Sequence, residues 1–221
     1  MKIIAMIPAR LGSQRLKKKN LKLLKGEPLI SHAINKTIKS EVFDEVWVNS
    51  ESEEIGEVAR SLGVNFHKRP ENLANNQATS EDFVYEFFTY HECDYLVQIH
   101  SIAPLLKKTD IVSFVKELSS EKYDVLLSAQ NIQIECAYKE TPVNFTMSRK
   151  DNSQDLSPIQ RITWSITGWK RSTYMDAYET GNCSTYAGNV GYFEVNSLAA
   201  HVIKTQEDLD IAEALYHKID E

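Results

Sequence analysis

The stretch from Lys2 to Ile7 is apolar after its first residue and ends abruptly at Pro8-Ala9-Arg10-Leu11-Gly12-Ser13. A short apolar run without polar alternation reads as a strand covered on both faces. Such a strand belongs inside a sheet with helices on both sides. The next elements fit that frame. Leu29 to Ile38 carries apolar residues at helical spacing, and Glu45 to Val48 is strand-like. Ser52, followed by Glu53, Glu54 and Ile55, opens a helix that Gly63 closes. Val64 to His67 is a short strand, and Ser80 ahead of Glu81 and Asp82 caps a helix through Phe88. Tyr95 to Ile99 is a strand, Thr109-Asp110 caps a helix to about Leu118, and Tyr123 to Ser128 is a strand. Strands alternating with helices imply crossover units and a mostly parallel sheet.

From about residue 130 to 186 the rhythm weakens and polar clusters such as Asp151-Asn152-Ser153-Gln154 appear. We read this span as a lobe or arm inserted in a single domain of residues 1–221. Order returns with a strand over Ala187 to Phe193. A final helix is capped by Thr205 and carries Leu209, Ile211, Ala212 and Leu215. The expected fold is α/β.

The chain has 221 residues and a net charge of −6, which argues against a general nucleic-acid binder. No apolar run reaches the ~20 residues of a membrane helix. The N-terminal run is too short for a signal-peptide core, so a cytoplasmic protein is expected. Cys93, Cys136 and Cys183 form no metal-ligand spacing and read as reduced, mostly buried thiols.

Against this acidic background the loop after the first strand concentrates Arg10, Arg15, Lys17, Lys18 and Lys19. In open parallel sheets ligands bind beyond the carboxyl ends of the strands, where this loop lies. It lacks the glycines of a P-loop or a dinucleotide fingerprint. What remains is a turn at Gly12-Ser13 with free amides, flanked by cations that suit a polyphosphate. Arg10 and Lys19 read as working groups, while Lys17 and Lys18 read as solvated charge.

The pattern Ile7-Pro8-Ala9-Arg10-x-Gly12-Ser13 with Lys19-Asn20-Leu21 closely resembles the opening of the CMP-sugar synthetases, the acylneuraminate and Kdo-type cytidylyltransferases. Further blocks follow in order: Val48 to Ile55, Arg69-Pro70-Glu71-x-Leu73-Ala74 with Ala78-Thr79-Ser80, Ala103-Pro104-Leu105, Gly188 to Gly191, and Thr205 to Leu209. The resemblance implies a three-layer α/β/α sandwich with a Rossmann-like sheet and a small lobe for dimerisation and substrate. It implies transfer of CMP from CTP to the anomeric hydroxyl of an acidic sugar, with release of pyrophosphate, in surface glycan synthesis. A homodimer is expected. Carried over by motif, Arg10, Ser13 and Lys19 would hold the triphosphate and Asn20 would contact the nucleotide. Arg69 and Ser80 would contact the cytidine, and His100 and Arg161 the sugar acid.

The resemblance also implies Mg²⁺, but the family's usual aspartates are not matched. Ile102, Val202 and Lys204 stand at those positions. A protonated lysine cannot ligate Mg²⁺, whereas Lys204 could neutralise phosphate charge in its place. A competing reading is a catalytically weakened nucleotide-binding homologue acting as a partner subunit. A glycosyltransferase is third, since Asp208-x-Asp210 has the spacing of a metal pair but lies in an expected helix.

Overall fold

The computed structural model describes residues 1–219. In chain order the strands are β1 (Ile3–Pro8), the short pair β2 (Leu23–Leu24) and β3 (Glu27–Pro28), β4 (Glu45–Ser50), β5 (Asn65–Lys68), β6 (Tyr95–Ile99), β7 (Val125–Ile132), the short pair β8 (Ala137–Tyr138) and β9 (Thr141–Pro142), β10 (Ile159–Lys170) and β11 (Val190–Glu194). The α-helices are α1 (Leu29–Ser40), α2 (Glu53–Ser61), α3 (Ser80–Tyr90), α4 (Lys108–Leu118), α5 (Arg171–Glu179) and α6 (Gln206–Leu215).

Seven strands form the central sheet in the order β11-β7-β10-β6-β1-β4-β5. β1 pairs in parallel with β4 and β6, as β4 does with β5 and β11 with β7. β10 alone is antiparallel to both its neighbours, β6 and β7. The alternation of side chains across a strand sorts β1 between two layers. Ile3, Ala5 and Ile7 pack against Ile30 and Ile34 of α1, Ile55 of α2, and Ile111 and Phe114 of α4. Ile4 and Met6 point the other way, onto Val84, Phe87 and Phe88 of α3, Trp169, and Tyr174 of α5. Burying each such large side chain contributes about 1.5–3 kcal/mol. The result is the expected α/β/α sandwich, with the apolar β1 at its centre.

Two helix starts differ from expectation. The cap of α3 is Thr79 and not Ser80: Thr79 Oγ1 accepts from the Asp82 N–H, and the Asp82 carboxylate accepts from the Thr79 N–H at 2.7 Å. Helix α4 begins at Lys108, before Thr109, because the Asp110 carboxylate accepts the Lys107 N–H at 2.9 Å. In both cases an aspartate reaches back over three residues, so the cap lies further upstream than the hydroxyl alone suggests. Thr205 caps α6 as its sequence indicates.

The span 130–186 is divided by the structure. Its second half, β10, lies inside the central sheet, and α5 follows directly. Trp169 and Tyr174 are core residues. Ser, Thr and Gly in β10 gave little hydrophobic signal. Only about 133–158 stands outside the sheet, holding the β8–β9 hairpin and exposed Ile134, Tyr138, Val143 and Met147. The thiols also depart from expectation: Cys93 and Cys136 are half-buried and Cys183 is exposed.

Where β10 passes the end of β6 it bulges. Its register with β7 jumps from Ile162–Ala129 to Thr167–Leu127. Trp164, at φ 57°, takes the left-handed conformation that costs a bulky residue on the order of 1–3 kcal/mol. The Ser128 hydroxyl oxygen accepts the Ser165 and Ile166 N–H groups that the bulge frees.

Candidate active site

Chain order reverses between β1 and β6: the chain runs outward through β4 and β5, then returns to β6 on the other side of β1. A crevice opens at such a reversal, beyond the carboxyl ends of the strands. Here it is a polar cavity of about 220 Å³. Its walls come from three segments: Pro8 to Asn20 after β1, His100 to Ile102 after β6, and Lys204 before α6. Arg10, Arg15, Lys19 and Lys204 all line it, together with Ser13 and Gln14.

The basic loop is fixed from below. The Ala9 N–H donates to the Asn49 carbonyl at 3.0 Å, and the Leu11 N–H to Glu51 Oε1 at 2.8 Å. Leu16 is buried against Leu24, Leu29, Ile203 and Leu209. The turn amides are not all free: the Ser13 N–H donates to the Leu11 carbonyl at 2.9 Å. Asn20 is buried and bridges two walls. Its Nδ2 donates to the Arg10 carbonyl at 2.9 Å, and its Oδ1 accepts from the Ser101 hydroxyl at 2.6 Å. Asn20 therefore shapes the cavity with both ends of its amide engaged.

Lys19 Nζ donates to the Ile203 carbonyl at 3.1 Å, tying the loop to the segment that carries Lys204. Burial, reinforced by Arg15 and Arg10, pushes its pKa down to about 8. Crowded cations of this kind await an anion, since none of them neutralises another. His100 is pushed down to about 4 by burial and by Lys19, so it is neutral at physiological pH. Its Nε2 is buried and has no hydrogen-bond partner, which leaves a polar atom unsatisfied at the cavity wall.

Arg10 sits at the boundary with a second cavity of about 360 Å³, lined also by Arg69, Leu73, Asn75, Asn76, Ala78 and Phe83. The Arg10 guanidinium donates to the Asn75 carbonyl at 3.2 Å and to Asn76 Oδ1 at 3.1 Å. Arg69 is 3% exposed. Its Nε donates to Asn49 Oδ1 at 2.6 Å, its NH2 donates to the Asn49 carbonyl at 2.8 Å, and its guanidinium lies 4.1 Å from the Phe83 ring centre. Burial lowers its pKa to about 10, still far above neutrality. Arg69 thus supports the β4 end as well as lining the cavity.

Other expected site residues lie elsewhere. Ser80 is exposed at the start of α3 and lines neither cavity. Arg161 is bound to its own sheet, donating to Gln130 Oε1 at 2.8 Å and to the Ala200 carbonyl at 3.2 Å, and does not line the cationic cavity. Lys18 pairs with Glu54 at the surface and Lys17 is exposed. Arg15, Gln14, Ser101, Asn75 and Asn76 join the site without having been assigned to it. Arg15 was visible in the basic loop. The amides and Ser101 carried no signal beyond lying near strand ends.

Among the described residues no carboxylate lines the cationic cavity. Asp208, at the start of α6, is engaged in capping: its Oδ2 accepts the Lys204 and Thr205 N–H groups, each at 2.8 Å. Among the described residues no group of three or more His, Cys, Asp or Glu side chains is placed to hold a metal ion. An ammonium at Lys204 and an alkyl side chain at Ile102 do not fit a protein-ligated Mg²⁺, which takes oxygen donors. Among the described residues no helix is long and apolar enough to cross a membrane.

The chain resembles solved and curated proteins over this same framework. A family model described as "Cytidylyltransferase" matches residues 4–218. N-acylneuraminate cytidylyltransferase from Escherichia coli O18:K1:H7 is 36% identical over 129 residues, covering 58% of this chain and 31% of that protein. Pseudaminic acid cytidylyltransferase from Campylobacter jejuni is 37% identical over 114 residues, 49% of each. N-acylneuraminate cytidylyltransferase B from Danio rerio is 30% identical over 215 residues, covering 95% of this chain and 50% of that protein. This chain thus spans about a third to a half of the length of these curated relatives. In fold it is similar to CMP:2-keto-3-deoxy-manno-octonic acid synthetase complexed with CTP, with a TM-score of 0.74 at 17% identity and 99% coverage of each chain. With the family model matching nearly its whole length, the chain belongs to the cytidylyltransferase family.

Proposed function

We propose that this chain transfers CMP from CTP to the anomeric hydroxyl of an acidic sugar, a nonulosonic or Kdo-like acid. The anomeric oxygen–Pα bond forms as the bond from Pα to the α–β bridging oxygen breaks; the hydroxyl proton passes to solvent, and pyrophosphate leaves with the bridging oxygen. The observation that carries the reading is the convergence of Arg10, Arg15, Lys19 and Lys204 on one cavity at the chain reversal. Charge develops on the departing pyrophosphate, and preorganised cations stabilise it without reorganisation at the moment of reaction. Holding two anions together also offsets the entropy of bringing them to attack distance.

In this reading the triphosphate occupies the cationic cavity, held by Arg10, Ser13 and Lys19. The cytosine occupies the neighbouring one, between Phe83, Arg69 and the Asn75–Asn76 amides. The unsatisfied Nε2 of His100 faces the acceptor side. Arg161 acts in the reaction only if its bond to Gln130 opens. The β8–β9 arm with its exposed apolar side chains suits a homodimer contact. The cytoplasm, where CTP is made, is the corresponding compartment, with surface glycan synthesis as the destination.

A second reading is a nucleotide-binding homologue with weakened turnover. It is favoured by Lys204 and Ile102 lining the cavity where family metal ligands are expected. One experiment separates the two. Pyrophosphate release is measured with CTP and a panel of sialic, legionaminic, pseudaminic and Kdo-like acids, with and without Mg²⁺. Release with one of these acids supports the transferase. CTP binding with no release from any acid, in either condition, overturns it in favour of the binding homologue.

A further inference from the structure

Lys36 lies on α1, outside both cavities of the site. Its ammonium nonetheless reaches the loop that forms one wall of the cationic cavity. Nζ donates to the Pro104 carbonyl at 2.6 Å, the Leu106 carbonyl at 2.9 Å and the Ala103 carbonyl at 3.1 Å. An ammonium has three N–H donors, and all three are matched here. Burial pushes the pKa of Lys36 down to about 7, with Asp110 pulling it back up. Holding the protonated form here therefore carries a cost that an apolar side chain of equal length would not. Packing alone does not account for it.

The three carbonyls belong to a pair of consecutive turns. The Ala103 N–H donates to the His100 carbonyl and the Leu106 N–H to the Ala103 carbonyl. From this loop, bonds run to every other wall of the cavity. The Ser101 hydroxyl reaches Asn20, and Asn20 holds the Arg10 carbonyl. The Ile102 carbonyl accepts the Ile203 N–H at 2.8 Å, and the Ile203 carbonyl accepts Lys19 Nζ. The position of the Ala103–Leu106 turn thus sets where Lys19 and the Lys204 segment stand.

We propose that Lys36 is a positioning residue for this site: its ammonium clamps the Ala103–Leu106 turn from behind and so holds the cationic cavity in its anion-binding shape. The proposal rests on the nucleotide-binding part of the reading above, and its test keeps the two apart. CTP binding by the unsubstituted protein reports on that reading. Comparison of Lys36→Met with Lys39→Met reports on the clamp, since Lys39 is an exposed neighbour on the same helix.

The readouts are the CTP dissociation constant across pH 7 to 9 and hydrogen exchange of residues 100–107 without ligand. With the clamp lost, CTP affinity falls about tenfold or more, exchange over 100–107 rises, and the pH midpoint set by Lys19 moves. Lys39→Met leaves all three unchanged. If Lys36→Met folds and matches the unsubstituted protein in affinity, exchange and midpoint, the proposal is overturned. If it does not fold, Lys36→Gln, which keeps two N–H donors, is expected to fold with an intermediate loss. Failure of both variants to fold makes Lys36 a residue of general stability and also overturns the proposal.

Discussion

Under the proposed function, the lowered pKa of Lys19 should make CTP affinity depend on pH in a defined direction. In the free protein, burial and the neighbouring Arg15 and Arg10 hold Lys19 near 8. A bound triphosphate supplies the missing counter-charge and returns it toward the ordinary lysine value of 10.5. Below pH 7 Lys19 is charged in both states, and binding takes up no proton there. Above 8 the free site has lost the proton that the complex must regain, so affinity falls as pH rises. Between pH 7 and pH 9 the dissociation constant should rise about tenfold, or about 1.4 kcal/mol. Any extra charge the triphosphate itself gains over this range acts in the opposite direction and cannot mimic the loss. Calorimetry in buffers of different ionisation enthalpy should show uptake of about half a proton per CTP at pH 8. Lys19→Met should bind more weakly at pH 7 and show a shallower slope, and Lys19→Arg should keep the affinity with the same shallower slope, the remainder belonging to Lys36 with its pKa of about 7. A flat profile in the unsubstituted protein, or the same slope in Lys19→Met, would refute the assignment.

Arg10→Ala should weaken CTP binding by about 1.5–3 kcal/mol, the range for hydrogen bonds to charged groups. Lys17→Ala, at an exposed position, should stay within about 0.5 kcal/mol. Equal effects in a binding titration would sink the role given to Arg10. Arg69→Met removes two hydrogen bonds to Asn49 and should cost about 2–4 kcal/mol in urea unfolding. Arg69→Lys should not restore it, because an ammonium cannot reproduce the forked contact. A loss below about 1 kcal/mol would show that Arg69 is not a structural support. Thr205→Ala should lower stability by about 1 kcal/mol through its cap, a fall of about 2–4 °C in the thermal midpoint of a domain this size. An unchanged midpoint would mean that Asp208 caps α6 alone.

Most of the sandwich could be read from periodicity, because its parallel strands are buried on both faces and its helices carry apolar stripes. The weak point was β10. Its Thr163, Ser165, Thr167 and Gly168 are buried in mid-sheet, where the Thr163 and Ser165 hydroxyls bond to Ser128 and the Ala199 carbonyl and Gly168 admits Leu118 and Phe114, so the segment carries little apolar signal. In the site, Arg10, Ser13 and Lys19 of the basic loop line one cavity, since one strand end delivers them together. Lys204 joins them from almost the far end of the chain, through a motif and not through proximity in sequence. Arg161 illustrates the limit: one end of its guanidinium is engaged by Gln130 and the Ala200 carbonyl, partners far from it in sequence that only the fold brings near. Lys36 is invisible for the same reason, being one of two lysines on α1 until its three carbonyl partners are seen.

The antiparallel β10 also bears on how a chain of this kind is made. It pairs Ile166 with Ile99 of β6 and Trp169 with Val125 of β7, so it separates two strands that precede it in synthesis. Until Lys170 has left the ribosome, β6 presents a free edge on one side, and β7 has no neighbour at all, because β11 comes later still. β6 is fully buried in the finished sheet, and so is β7 from Val125 to Ala129. Free apolar edges template association between chains, and pairing across long sequence separations is slow. The nascent protein therefore passes through a stage at which the half of its sheet that carries the basic loop is largely built but the sheet is still open. A chain cut before β10 should carry that half into aggregates and not into solution.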